Sequence, residues 1–168
     1  MLTLYHGSTT IVEQPFVKVG RLNLDFGRGF YLTKYKEQAE VWAKIVASRK
    51  KYDATAILNA YQFDLESAIS NGFRYKSFDE YNIEWLNYVV DCRQGKDYSD
   101  IYDLVSGGVA NDNVIDTIED YEKGIITAEQ ALGQLRYKKV NHQICIMNQE
   151  VIAHYLSFKE SQKLDVEI

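Results

Sequence analysis

Apolar and polar positions alternate from the first residues of the chain. In "LTLYHGS", Leu2, Leu4 and His6 fall opposite Thr3 and Tyr5, which predicts a short strand ending in a glycine turn. "RGFYLT" predicts a second strand, with Phe30 and Leu32 on one face and Tyr31 and Thr33 on the other. From Lys34 the period lengthens. Tyr35, Ala39, Trp42 and Val46 recur at helical spacing, so "KYKEQAEVWAKIVASRK" predicts an amphipathic helix. "ATAILNAYQFD" returns to a strand pattern.

"SFDEYNIEWLNYVVDCRQG" predicts a helix, with Ser77 and Glu80 at capping-box spacing and Gly95 at its close. "DIYDLVSGG" predicts a strand running into paired glycines. "NDNVIDTIEDYEKG" and "TAEQALGQL" predict helices, the second opened by Thr127 and Gln130. "HQICIM" is a further strand, "NQEVIAHYL" a short helix, and "LSF" an edge strand. Strands at both ends with helices between them indicate an α+β fold rather than a βαβ repeat.

Length and charge narrow the class. The 168 residues carry no linker-like stretch and no repeat, so residues 1–168 are expected to form one domain. No apolar run approaches the roughly 20 residues of a membrane span, and "MLTLYHGS" lacks the basic and apolar regions of a secretory signal. Cys92 and Cys145 sit in apolar contexts without a disulfide framework, which suits a cytoplasmic protein. A net charge of −5 argues against a general nucleic-acid scaffold. The basic clusters Arg49–Lys51 and Arg136–Lys139 read as solvated surface, although one pocket on an acidic protein is free to be basic.

The common chemical motifs are missing. Gly27-x-Gly29 lacks the third glycine of a dinucleotide fingerprint and precedes a strand instead of following one. There is no phosphate-binding loop with a lysine and no nucleophile elbow. His142 and Cys145 of "HQIC" point to opposite faces of a strand, so no metal site is expected. His6, Tyr31 and Gln143 each have two readings, a satisfied structural residue or the wall of a polar pocket.

Their order in the chain favours the pocket. "LYHGS", then "FGRGFYLT" with a helix just after it, then "NHQICIMN" resemble the three motifs of ADP-ribosyltransferases related to diphtheria toxin and the poly(ADP-ribose) polymerases. Those motifs are a His-Gly-Ser/Thr strand, a Gly-x-Gly-aromatic-Tyr strand and a Glu opening a late strand. More narrowly, the whole chain resembles a bacterial family of small domains of this kind, formerly of unknown function. "YDLVSGGVANDNV" shares in that likeness. The resemblance implies a split β-sheet core with flanking helices, and NAD as co-substrate. It also implies roles by position. His6 would bond the adenosine ribose, Gly7 would offer its backbone to the nicotinamide carboxamide, and Ser8 would meet the neighbouring ribose. Tyr31 would stack on the nicotinamide, while Gly27 and Gly29 would let the backbone approach the dinucleotide. Arg21 and Arg28 flank that loop and would suit the pyrophosphate. "GGVANDN", with Asn111 as a cap, leads into a helix N-terminus.

The chain departs from the pattern at two places. Gln143 stands where those enzymes have Glu. An amide can hold a ribose hydroxyl but cannot set negative charge beside a cationic sugar, a loss worth about 4 kcal/mol for a unit charge at about 4 Å and an effective dielectric near 20. The acceptor then activates itself, as a carboxylate or phosphate does, or a nearby acid such as Glu150 or Asp112 substitutes, or NAD is bound without turnover. The amide also argues against repeated chain extension. In the helix after Tyr31, "KEQAE" has no serine to grip the carboxamide. Gln38 is the polar candidate and Ala39 offers nothing. The expected activity is NAD-dependent mono-ADP-ribosylation of a macromolecular acceptor, with a toxin role and a neutralising antitoxin or immunity protein. The alternatives are a non-catalytic NAD or ADP-ribose binding module, a phosphotransferase on RNA ends (disfavoured by the acidic balance), and a tyrosine-rich interaction domain.

Overall fold

The run "AILNAYQF" is buried along nearly its whole length because it is the middle strand of a sheet. The computed structural model describes residues 1–50, 54–110, 112–136 and 141–165. In chain order its elements are β1 (Leu2–Ser8), a 3-10 turn (Val17–Val19), β2 (Phe30–Leu32), α1 (Lys36–Ser48), β3 (Ala56–Phe63), α2 (Leu65–Ser70), β4 (Tyr75–Ser77), α3 (Ile83–Arg93), β5 (Leu104–Gly107), α4 (Asp112–Glu122), α5 (Ala128–Leu135), β6 (Gln143–Ile146), α6 (Gln149–Tyr155) and β7 (Leu156–Leu164). The fold is mixed α+β.

Two sheets form. The first has the order β1-β3-β7, antiparallel throughout, and the second has the order β2-β6-β5-β4, with only β4 and β5 parallel. Leu4, Tyr61 and Phe63 of the first sheet share one apolar cluster with Phe30, Leu32, Leu104, Ile144 and Ile146 of the second. These faces therefore pack on each other. Val105 and Cys145 face the other way, into a second cluster with Trp85, Leu86, Ile118 and Leu135 of α3, α4 and α5. The strand alternation read from the sequence thus sorts Phe30 and Leu32 from Tyr31 as expected, each face buried against a different layer.

α1 covers the outer face of the first sheet, but of the expected stripe only Ala39 is fully buried. Ala39, Ala43 and Ala47 are buried, whereas Trp42 and Tyr35 are 42% and 45% exposed. Gly7 explains the shift. A methyl group there would lie 2.1 Å from the Ala39 carbonyl oxygen and 2.7 Å from the Ala43 nitrogen. Helix and strand are in backbone contact, so large side chains have no room between them.

Helix caps also differ from expectation in one case. Ser77 ends β4, paired in parallel with β5, and its hydroxyl bonds Asp79 instead of capping a helix. α3 begins later, where the Asn82 side chain accepts from the Trp85 backbone N–H at 2.9 Å. Thr127 and Gln130 do form the expected reciprocal box, at 3.2 and 2.8 Å. α2 and β4 were not foreseen, and β7 is much longer than "LSF". Among the described residues no helix is long and apolar enough to cross a membrane. Lys51, Tyr137, Lys138 and Lys139 of the basic clusters and the Asn111 cap lie outside the described residues.

Two glycine substitutions should move stability in opposite directions. Gly7→Ala forces the α1 contact open and should cost about 1–3 kcal/mol, lowering the melting temperature by several degrees. Gly133→Ala, at a helical position with open space where the methyl would go, should raise stability by about 0.5–1 kcal/mol. Calorimetry on both variants checks this, and an unchanged Gly7→Ala transition would contradict the close contact.

Candidate functional site

Among the described residues, one isolated bridge joins the backbones of the two sheets, and beyond it β1 and β2 part. Tyr5 and Thr33 exchange backbone hydrogen bonds of 2.8 and 2.9 Å. Beyond it, His6, Gly7 and Ser8 pair only with Asn59, Leu58 and Ile57 of β3, while β2 pairs with β6. The His6 ring reaches across this split, with Nδ1 2.8 Å from the Tyr31 carbonyl oxygen and the ring 4.6 Å from that of Phe30. A carbonyl only accepts, so Nδ1 carries the hydrogen. Burial pulls the imidazole pKa below its ordinary value, so the ring is neutral and Nε2 is left as a lone-pair acceptor with no partner among the described residues.

Tyr31 and Gln143 lie on one face of the second sheet. Tyr31 is paired with Cys145, two residues along β6 from Gln143. The Tyr31 hydroxyl donates to the Gly27 carbonyl at 2.7 Å and accepts from the Phe26 N–H at 3.0 Å. Burial foremost drives its pKa well above normal, so it stays a neutral donor. Gln143 is buried, and its Nε2 lies 3.2 Å from Asp25 Oδ2 and 3.3 Å from the Gly108 carbonyl. Both neighbours are acceptors, which fixes the amide with nitrogen toward them. Its carbonyl oxygen accepts no hydrogen bond from the described residues.

Asp25 was missed in the sequence. Besides Gln143 it accepts from the Ala110 N–H at 2.9 Å and from Arg93 Nη1 at 3.4 Å. Burial raises its pKa, and these donors and the Arg93 charge work against that rise. The available signal was its place between Leu24 and Phe26 in an apolar turn, which marks a carboxylate drawn inward.

The remaining expected residues fall into two groups. Gly27 has φ +81°, a left-handed conformation that favours glycine, and a methyl on Gly29 would lie 2.3 Å from Cys145 Sγ. The glycine loop is thus shaped by its packing under β6. Gly7 is glycine because of α1. Ser8 Oγ lies 3.3 Å from the Thr10 hydroxyl. Arg21 and Arg28 are exposed and form no ion pair with the described residues. Gln38 is committed elsewhere, and this corrects its candidacy for the carboxamide. Its amide brackets the His142 backbone, donating to the carbonyl at 2.9 Å and accepting from the N–H at 3.3 Å. Of the candidate substitute acids, Glu150 is exposed on α6 and meets His154 at 3.2 Å, and the Asp112 side chain lies outside the described residues. The acid beside Gln143 is Asp25. A hollow of about 260 Å³ lies elsewhere, between Val17, Arg74, Asp103 and Gln149, and His6, Tyr31 and Gln143 do not line it.

Fold and site together define a mixed α+β domain with a polar constellation where its two sheets diverge. Residues 2–158 match a family described as a protein of unknown function (DUF3990), and the chain belongs to that family. No curated protein matches the chain.

His142, next to Gln143, gives the region a pH signature. Its Nδ1 is buried without a partner among the described residues, and burial, then the Lys34 charge, hold its pKa down to about 4. The unfolded chain takes up this proton near the ordinary 6.5 and the folded chain only near 4, so stability should fall as pH drops through that window. In melting curves at pH 7 and 4.5, His142→Gln should lose less stability than the unsubstituted protein. Equal losses would contradict the assignment.

Proposed function

We propose that this protein is an NAD-dependent mono-ADP-ribosyltransferase that modifies a macromolecule. The observation that supports the reading is the hydrogen bond from His6 to the Tyr31 carbonyl across the sheet split, with Tyr31 and Gln143 on one face of the second sheet and the three residues ordered along the chain as in the transferases they resemble. In this reading the two sheets are the split core of that fold.

The residues divide the work. His6 Nε2 and the Gln143 carbonyl are acceptors suited to ribose hydroxyls. The Tyr31 ring is held by its hydroxyl, so its face is presented at a fixed angle to the nicotinamide. Arg21 and Arg28, exposed and without an ion pair among the described residues, are cations suited to the pyrophosphate. In the reaction, the bond between the nicotinamide nitrogen and the ribose carbon breaks with its electron pair on nicotinamide. A new bond forms from the acceptor to that carbon. A carboxylate or phosphate acceptor has no proton to lose, which suits a site whose third residue is an amide. A toxin held in check in the cytoplasm by an antitoxin or immunity protein is the setting proposed. A second reading, NAD or ADP-ribose binding without turnover, is favoured by the same neutral Gln143.

Labelled NAD mixed with cell lysate separates the two. The unsubstituted protein should release nicotinamide and label a macromolecule. Tyr31→Ala and Gln143→Ala should each lower transfer by about 100-fold or more with folding retained. Binding of NAD with no nicotinamide release, with or without lysate, would leave only the binding module.

A further inference from the structure

Asp25 does more than pin a loop. Its two oxygens face different partners, Oδ1 toward Arg93 and Oδ2 toward both the Gln143 amide and the Ala110 N–H. Arg93 sets a positive charge beside Oδ1, while Oδ2 is turned to position 143. A free glutamine side chain presents its two ends equally well after a half-turn, and only its neighbours decide which end faces outward. With Asp25 and the Gly108 carbonyl both accepting, the N–H end is held inward and the carbonyl end is left over. A hydrogen bond from that amide to a carboxylate also polarises it, enriching negative charge on the carbonyl oxygen.

We infer that Asp25 is a positioning residue for Gln143: it fixes the amide with its negative end toward the ribose and passes on, through one hydrogen bond, part of the charge that a Glu at 143 would supply directly. This rests on the ADP-ribosyltransferase reading. It explains how a neutral third residue serves a reaction that builds positive charge on the sugar. The carboxylate has moved from the late strand to the loop before β2, with the amide between it and the substrate.

The prediction is coupling between positions 25 and 143. Asp25→Asn removes the charge behind the amide, leaves its orientation to the Gly108 carbonyl and a neutral partner, and should lower kcat for nicotinamide release about 10–100-fold, with the KM for NAD changed by less than about threefold. Gln143→Glu alone sets two carboxylates side by side and should also lose activity. The double variant D25N/Q143E has one carboxylate again, now held by an amide, and should recover kcat to the unsubstituted level or above. A loop pin alone predicts recovery of melting temperature without recovery of kcat. The rise in melting temperature caused by NAD is read on the same four proteins and needs no turnover. Effects at 25 and 143 that simply add, in kcat and in NAD stabilisation alike, would overturn the proposal. Coupled NAD stabilisation with no nicotinamide release from any of the four would overturn the transferase reading and leave the amide's orientation by Asp25 standing.

Discussion

Among the described residues the Tyr5–Thr33 bridge is the one place where backbone hydrogen bonds join the two sheets, and the site depends on their ending there. Had β1 and β2 continued to pair, His6 would be an ordinary strand residue opposite Leu32. Instead the strands diverge, β1 held by β3 and β2 by β6, and the His6 imidazole supplies the next contact across the opening. Divergence leaves backbone groups without ladder partners, and such groups must be satisfied or meet water. His6 satisfies one of them, the Tyr31 carbonyl. The same ring thereby acquires a defined tautomer and an outward-facing acceptor.

A second constraint is the grip on residues 25–27. Tyr31 holds Phe26 and Gly27 through its hydroxyl, and Gln143 holds Asp25. Each is a partly buried polar contact whose loss leaves a group unsatisfied, at up to about 1–3 kcal/mol apiece. Arg93 from α3 and the Ala110 N–H complete the set, so the helical layer and the loop after β5 are tied to the same carboxylate. A polar cluster of this kind specifies one arrangement of the elements around it because any slippage strands a charge. Tyr31 and Gln143, proposed to meet NAD, are therefore also side chains that order the loop.

Much of the fold was legible in the sequence because its strands alternate cleanly and its helices carry their own punctuation. β1, β2, β3, β6 and the Thr127 cap follow from local pattern. Of the buried stripe of α1 only Ala39 does, since periodicity ranks Trp42 above alanine while the Gly7 contact admits only alanine. β4 and the later start of α3 escaped because Ser77 and Glu80 mimic a cap, and only pairing with β5 draws Ser77 into a strand. Among the candidate residues, His6, Tyr31 and Gln143 are picked out by motif order, but Asp25 is not. Its meaning comes from Gln143, 118 residues further on, and from Arg93 and Ala110 on other elements. Gln38 was misread for the same reason, its partner being the His142 backbone 104 residues away. Long-range polar pairing leaves almost no local trace.

The central claim is that the dinucleotide meets this protein where the sheets part. Backbone amide NMR shifts during titration with NAD test it most directly. The account predicts that the largest changes fall on Gly7, Gly27, Tyr31 and Gln143. Changes gathered instead around the hollow at Arg74, Asp103 and Gln149, or none at all at millimolar NAD, would contradict it.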